Sequence, residues 1–121
     1  MQKPEHLLIC DDSEDTLLIT RFALEAEGFV VETAKSTDEL FQQLRKEDKP
    51  FLIILDLNIP AKGGAFVIQQ LRSEEQSKKI PVVLFSGEEK LEEITVQLKA
   101  DGFLHKPFNI DELKEIVRKF S

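Results

Sequence analysis

Short apolar runs alternate along the chain with longer stretches in which apolar and polar residues are mixed. Three runs, at residues 6–10, 51–55 and 80–85, are almost continuously apolar, as strands buried on both faces of a parallel sheet are. Two further runs, at residues 29–34 and 102–105, mix apolar with polar positions, which is typical of edge strands. The pattern therefore predicts five strands, three of them interior.

Each predicted strand is followed by residues whose apolar positions recur every three or four places, which indicates a helix. Gly28 supplies a stop for the first helix. Two capping patterns, Ser36 with Glu39 and Asn109 with Glu112, open the second and the last. The residues expected on the inner faces are Leu17, Leu18, Phe22, Leu24, Leu40, Phe41, Leu44, Phe66, Val67, Leu71, Ile110, Leu113, Ile116, Val117 and Phe120.

Five strands alternating with five helices indicate an α/β fold with a doubly wound parallel sheet. The fourth helix is charge-rich and is expected at about residues 88–99. Right-handed crossovers between near neighbours, with the mixed runs at the edges, give the strand order 2-1-3-4-5, which is flavodoxin-like. The winding reverses between strands 1 and 3, so a crevice is expected there at the carboxyl ends of the strands.

Composition changes this picture mainly by exclusion. The formal net charge of −7 argues against a general electrostatic grip on nucleic acid, so no direct nucleic-acid binding is expected. No apolar run is long enough to cross a membrane and no signal-peptide layout begins the chain, so we expect a cytoplasmic protein without membrane contact. Cys10 is the only cysteine and is expected to be a small buried hydrophobe.

Carboxylates stand at the ends of the two strands that flank the predicted crevice. Asp11 and Asp12 follow the first strand, and Asp56 ends the third. Taken singly, Asp56 could begin a turn before Pro60, and Asp11 and Asp12 could cap the first helix. Three converging carboxylates repel one another, however, and need shared protons or a cation. Because oxygen ligands suit Mg²⁺, the sequence predicts a magnesium site in the crevice.

Complementary groups follow the next two strands. Ser86 offers a hydroxyl group at the start of a turn that contains Gly87, and Lys106 offers a mobile cation. Acids that face a hydroxyl and an ammonium group favour a phosphoryl group over a neutral metabolite. A carboxylate can then be the nucleophile that becomes an aspartyl phosphate, with the metal ion and the lysine neutralising charge.

These residues resemble the response-regulator receiver domain of two-component signalling, and the resemblance covers essentially the whole chain. It implies a single receiver domain over residues 1–121, with no output domain, that acts as a phosphorylation-activated signalling switch. Structural roles fall to Pro60, Gly64 and Pro107, and the peptide bond before Pro107 is typically cis. The motifs that carry the resemblance are Asp11-Asp12, Asp56 followed by Pro60 and Gly64, Ser86-Gly87, and Lys106-Pro107-Phe108.

The resemblance implies that Asp56 is the phosphoacceptor. A sensor histidine kinase or a histidine phosphotransfer protein would supply the phosphoryl group from a phosphohistidine. Mg²⁺ would be bound directly by Asp12, Asp56 and the backbone carbonyl of Asn58, and by Asp11 largely through a water molecule. Asn58 and Glu88 would tune hydrolysis of the aspartyl phosphate. The protein would catalyse only its own phosphorylation and dephosphorylation.

The resemblance also implies a switch. Lys106 would bind a phosphoryl oxygen, Ser86 beside Gly87 would swing toward the phosphoryl group, and Phe103 would move inward behind it. These movements would couple the site to the face made by helix 4, strand 5 and helix 5, where an unidentified downstream protein would bind. Phe103 stands where the family often has Tyr, whereas Ser86 keeps the hydroxyl of the more common Thr.

Two other functions stay open at this point. A protein-binding module of this fold that is never phosphorylated would need none of Asp12, Asp56, Ser86 and Lys106, so their presence argues against it. A phosphohydrolase with an aspartate nucleophile generally has a second acid two residues further on, where this chain has Asn58.

Overall fold

The computed structural model describes residues 5–59 and 63–121, and Pro60 lies outside these ranges. Within them five strands alternate with five helices, as the hydrophobic pattern predicts. In chain order the elements are β1 His6–Cys10, α1 Glu14–Glu25, β2 Val30–Ala34, α2 Thr37–Leu44, β3 Leu52–Asp56, α3 Gly63–Ser73, β4 Val82–Ser86, α4 Leu91–Leu98, β5 Gly102–His105 and α5 Ile110–Phe120.

All five strands are parallel and lie in the order β2-β1-β3-β4-β5, which confirms the predicted flavodoxin-like sheet. Every residue of β1, β3 and β4 is buried, whereas the edge strands β2 and β5 are partly exposed. The register pairs Cys10 with Leu55 and Asp56 with Phe85. The residues that end or follow these strands therefore meet at one edge of the sheet.

Alternation of side chains along the strands divides the core between the two faces of the sheet. On one face the strands pack against α2, α3 and α4, and on the other against α1 and α5. Cys10 is fully buried in the first of these cores, and burial, the largest cause, raises the pKa of its thiol to about 12. The expected role of Cys10 as a small buried hydrophobe is therefore confirmed.

Side-chain caps fix where three helices begin. Ser36 accepts a hydrogen bond from the Glu39 N–H at 3.1 Å, and Asn109 accepts one from the Glu112 N–H at 2.8 Å, as the capping patterns predict. The cap of α1 is Ser13, whose hydroxyl accepts from the Thr16 N–H at 3.3 Å. The first helix is thus capped by serine, and the preceding aspartates are left for another role.

The inner face predicted for α1 is partly wrong. Leu17 and Leu24 are buried, but Leu18 is 64% exposed and Phe22 is 75% exposed. Residues 17 and 24 are two helical turns apart and share a face, while 18 and 22 are rotated toward solvent. Phe66 of α3, also expected inside, is 48% exposed.

Two predicted boundaries also shift. The fourth strand begins at Val82 and not at residue 80, because Pro81 has no N–H to donate to the sheet. The fourth helix begins at Leu91, so Glu88 and Glu89 lie in the preceding loop. None of the helices in the described ranges has the length and apolar character needed to span a bilayer.

The backbone of Leu57, just after β3, passes very close to Gly64 in the first turn of α3, and a substitution of Gly64 tests this close approach. A Cβ atom at Gly64 would lie 2.8 Å from both Cα and O of Leu57, the residue after Asp56. Gly64→Ala should therefore lower the free energy of unfolding by about 1 to 3 kcal/mol, although alanine normally favours a helix. Urea unfolding followed by far-UV circular dichroism measures this.

The matched control is Gly87→Ala, since a Cβ there would meet nothing closer than the Lys106 carbonyl oxygen at 3.9 Å. This control should change the stability by less than about 0.5 kcal/mol. Equal stabilities of the two variants would contradict the close approach at Gly64.

Candidate functional site

Three carboxylates converge where β1 and β3 end. One oxygen from each of Asp11, Asp12 and Asp56 can be chosen so that all lie within 4.8 Å of one another. Asp11 is fully buried and Asp56 is 5% exposed, whereas Asp12 reaches solvent. The crevice predicted between strands 1 and 3 is therefore strongly acidic and open on the side of Asp12.

Lys106 is the cation that faces this cluster from the end of β5. Its Nζ donates a hydrogen bond to Oδ2 of Asp11 at 2.9 Å and lies 3.7 Å from Oδ2 of Asp56. The ammonium group also sits 4.4 Å from the centroid of the Phe85 ring, a favourable cation–π arrangement. One ammonium group thus serves two buried carboxylates, and together with Asp12 these four described side chains carry a net negative charge.

The two buried aspartates are oriented by backbone donors. Asp11 Oδ1 accepts from the Ser13 N–H at 2.8 Å, and Asp56 Oδ1 accepts from the Asn58 N–H at 3.0 Å. Burial, the largest cause, raises the pKa of Asp56 above its ordinary value, and the charges of Asp11 and Asp12 act in the same direction. The hydrogen bond from Asn58 and the charge of Lys106 only partly oppose this rise.

Ser86 ends β4 beside the carboxylates and is fully buried. Its hydroxyl oxygen accepts from Nδ2 of Asn58 at 3.1 Å and from the Glu88 N–H at 3.1 Å. Gly87 lies exposed at the turn. The Lys106 N–H donates to the Ser86 carbonyl oxygen at 2.8 Å, and the Lys106–Pro107 peptide bond is cis, as the resemblance implies.

Phe103 lies on the edge strand β5. It is half-buried and packs against the core beneath α2, α3 and α4, while its ring meets the ring of His105 edge-on at 5.9 Å. The side chain of Glu88 is exposed, and only its backbone N–H takes part in the site. The predicted site residues that the structure brings together are Asp11, Asp12, Asp56, Asn58, Ser86 and Lys106.

Two contributors were missed by sequence reasoning. Phe85 underlies the ammonium group of Lys106, and its ring also meets Phe108 edge-on at 6.2 Å. Ser13 supplies the N–H that orients Asp11. The sequence signal that Phe85 belongs to the site is its place next to Ser86 in a buried strand. The direction in which the Lys106 side chain extends over the ring depends on tertiary structure, and the sequence pattern does not show it.

The donor set fits a hard divalent cation. Carboxylate oxygens from two strand ends lie close together, and one of the three belongs to an exposed residue that an ion and its waters can reach. Mg²⁺ prefers such oxygen ligands and usually keeps several waters. The cluster of Asp11, Asp12 and Asp56 could therefore hold Mg²⁺.

Comparison with known proteins agrees with this geometry. The family model of the response regulator receiver domain matches residues 7–118 of the chain. The chain belongs to the response-regulator receiver family. Membership of this family implies phosphorylation-dependent signalling, and receiver domains are signalling switches that interact with histidine kinases or phosphotransfer proteins.

Relatives of this receiver domain include single-domain and longer proteins. The chemotaxis response regulator CheY4 of Vibrio cholerae superposes with a TM-score of 0.88 at 26% identity, covering 98% of this chain and 100% of that chain. The phosphate regulon transcriptional regulatory protein PhoB of Rhizobium meliloti is 32% identical over 114 residues, which are 93% of this chain and 50% of the relative.

The alkaline phosphatase synthesis transcriptional regulatory protein PhoP of Bacillus subtilis is 31% identical over 112 residues, covering 93% of this chain and 46% of the relative. The chain spans about half the length of these two regulators.

The raised pKa of Asp56 predicts how the site affects stability. Because the ionised carboxylate is disfavoured in the folded state, Asp56→Asn should stabilise the metal-free protein at neutral pH. The gain is full above the raised folded-state pKa, shrinks as the pH falls through it, and vanishes below the ordinary value of 3.8. Urea unfolding in EDTA, repeated at decreasing pH, measures this difference.

Asp15→Asn, which changes an exposed aspartate of α1, is the control for the loss of one negative charge. A variant at Asp56 that is less stable than wild type at neutral pH, or a gain that grows in acid, would overturn this prediction.

Proposed function

We propose that this protein is a phosphorylation switch of a two-component phosphorelay and that Asp56 is the residue phosphorylated. The observation that carries the proposal is the convergence of Asp11, Asp12 and Asp56 with Lys106 at one crevice. An unphosphorylated binding module would gain nothing from this grouping, since buried like charges destabilise the fold.

The two oxygens of Asp56 have different surroundings. Oδ1 is held by the N–H of Asn58, whereas Oδ2 faces the ammonium group of Lys106 at 3.7 Å. Oδ2 is therefore the proposed nucleophile. It attacks the phosphorus of a phosphohistidine, an O–P bond forms and the N–P bond breaks, and the imidazole nitrogen keeps the electron pair and takes a proton from solvent.

Resetting the switch needs only water. A water oxygen attacks the phosphorus, the bond to Asp56 breaks, and Asp56 leaves as a carboxylate while the proton passes to solvent. Asn58, two residues after Asp56, and Glu88, two residues after Ser86, are proposed to set its rate. The protein would thus catalyse only its own phosphorylation and dephosphorylation.

The proposed holders of Mg²⁺ are Asp12, Asp56 and the backbone carbonyl of Asn58, with Asp11 acting through water. When bound, Mg²⁺ neutralises phosphoryl charge and orients phosphoryl oxygens. The ammonium group of Lys106 is proposed to bind the phosphoryl group, either in place of Asp11 or in addition to it. A dianionic group attracts the ammonium group more strongly than one carboxylate does.

Transmission is proposed to run along β4 and β5. Ser86 turns toward the phosphoryl group and frees space into which Phe103, half-buried at the edge of the core, can move. The surface that changes is formed by α4, β5 and α5, and a downstream protein is proposed to bind there. We propose residues 1–121 as one receiver domain whose phosphoryl donor is a sensor histidine kinase or a histidine phosphotransfer protein.

Intact-mass measurement after incubation with acetyl phosphate tests the phosphoacceptor. Wild type should gain one phosphoryl group in the presence of Mg²⁺ and almost none in EDTA. Asp56→Asn should gain none, whereas Asp15→Asn should label like wild type. An adduct that survives in Asp56→Asn would contradict the assignment, and the absence of any adduct would favour the unphosphorylated binding module.

Lys106→Met tests the role of the lysine, because methionine keeps an apolar stem over Phe85 but loses the charge. The variant should still be phosphorylated to some extent, but the phosphorylation-dependent changes in amide chemical shift of α4, β5 and α5 should shrink. Lys119→Met, at an exposed position of α5, is the control. A pattern of shifts in Lys106→Met identical to wild type would count against the role.

A further inference from the structure

The Ser86 hydroxyl group is held by two donors in the resting structure. Nδ2 of Asn58 and the N–H of Glu88 each donate to the Ser86 oxygen at 3.1 Å. A serine hydroxyl has two acceptor lone pairs and one hydrogen to donate. Both lone pairs of the fully buried Ser86 are therefore used, and the side chain is fixed in one orientation.

The hydrogen bonds of the Ser86 oxygen are made with Asn58 and Glu88 and not with Asp56. Ser86 follows Phe85, which pairs with Asp56 across β3 and β4, so the two side chains belong to neighbouring strand ends. Within residues 5–59 and 63–121, the Ser86 hydroxyl nevertheless donates no hydrogen bond to the Asp56 carboxylate, although that carboxylate is a strong acceptor. In the proposed switch, Ser86 turns toward a phosphoryl group on Asp56 and so away from these two donors.

Asn58 links the two residues directly. Its backbone N–H donates to Oδ1 of Asp56 at 3.0 Å, while its carboxamide donates to Ser86. The residue itself is exposed, so the carboxamide can exchange Ser86 for water at little cost. A contact of this kind can be broken and remade within a signalling cycle.

We propose that the carboxamide of Asn58 is a latch that holds the Ser86 hydroxyl in the resting orientation and thereby opposes the phosphorylated state. The inference rests on the proposed function, and it assigns to the side chain of Asn58 a role separate from that of its backbone carbonyl. Turning Ser86 toward the phosphoryl group breaks the bond from Asn58. The latch therefore sets how much binding energy the phosphoryl group must supply to move the switch.

Removing the latch should favour the active state. Asn58→Ala deletes the carboxamide but keeps the backbone N–H and carbonyl, so the contacts of the backbone with Asp56 and with a metal ion are retained. Loss of one neutral hydrogen bond from the resting state alone should tighten binding of a phosphoryl mimic by about fivefold.

A double-mutant cycle with beryllofluoride, a phosphoryl mimic, tests the latch. Its affinity in the presence of Mg²⁺ is measured by amide chemical shifts for wild type, Asn58→Ala, Ser86→Ala and the double variant. Asn58→Ala should bind about fivefold more tightly than wild type, and the gain should disappear in the Ser86→Ala background. Glu89→Ala, at an exposed neighbouring loop position, should match wild type.

Equal or weaker binding by Asn58→Ala, or the same gain with and without the Ser86 hydroxyl, would overturn the latch. A wild type that does not bind beryllofluoride would instead count against the proposed function. A second measurement separates the two, since it needs no phosphoryl group. In the free protein, Asn58→Ala should let the Ser86 side chain populate further χ1 rotamers, although the Glu88 N–H still donates to its oxygen. An unchanged single rotamer would also overturn the latch.

Discussion

The structure depends on an imbalance of charge at the crevice between β1 and β3. Among residues 5–59 and 63–121, two buried carboxylates and an exposed third face a single ammonium group, that of Lys106, which binds Asp11 closely and approaches Asp56 less closely. Burial makes the charge of Asp56 costly, as the direction of its pKa indicates. A fold that keeps such a grouping gains stability when a cation binds, alone or together with a phosphoryl group. This gain is the physical basis of the proposed switch.

The order of the strands in the sheet brings the three aspartates and Lys106 together. In a parallel sheet all carboxyl ends lie along one edge, and the reversal of winding between β1 and β3 leaves that edge open. The apolar runs fix which strands are interior, so the strand order and the meeting of Asp11 with Asp56 could be predicted from the sequence. The same reasoning placed Ser86 and Lys106 at the ends of the neighbouring strands.

Other features depend on tertiary contacts that a single sequence does not encode locally. Leu18 and Phe22 are as apolar as the buried Leu17, so the pattern cannot tell that they face solvent. Asn58 binds Ser86, and the Ser13 N–H binds Asp11. Each of these groups has several alternative partners, so the sequence alone does not say which contact forms. Asp12 and Asp56 have the same residue type, yet burial gives them different electrostatic surroundings.

Titration of the protein with Mg²⁺, followed by amide chemical shifts, tests most directly the claim that this charge imbalance is a cation site. We expect saturable binding of one ion, with the largest changes at Asp11, Asp12, Asp56 and Asn58, and strongly weakened binding in Asp12→Asn. Glu92→Gln, in the acidic first turn of α4, should bind like wild type. Changes that do not saturate, or that follow the acidic residues of α4 and leave the crevice unaffected, would contradict the account.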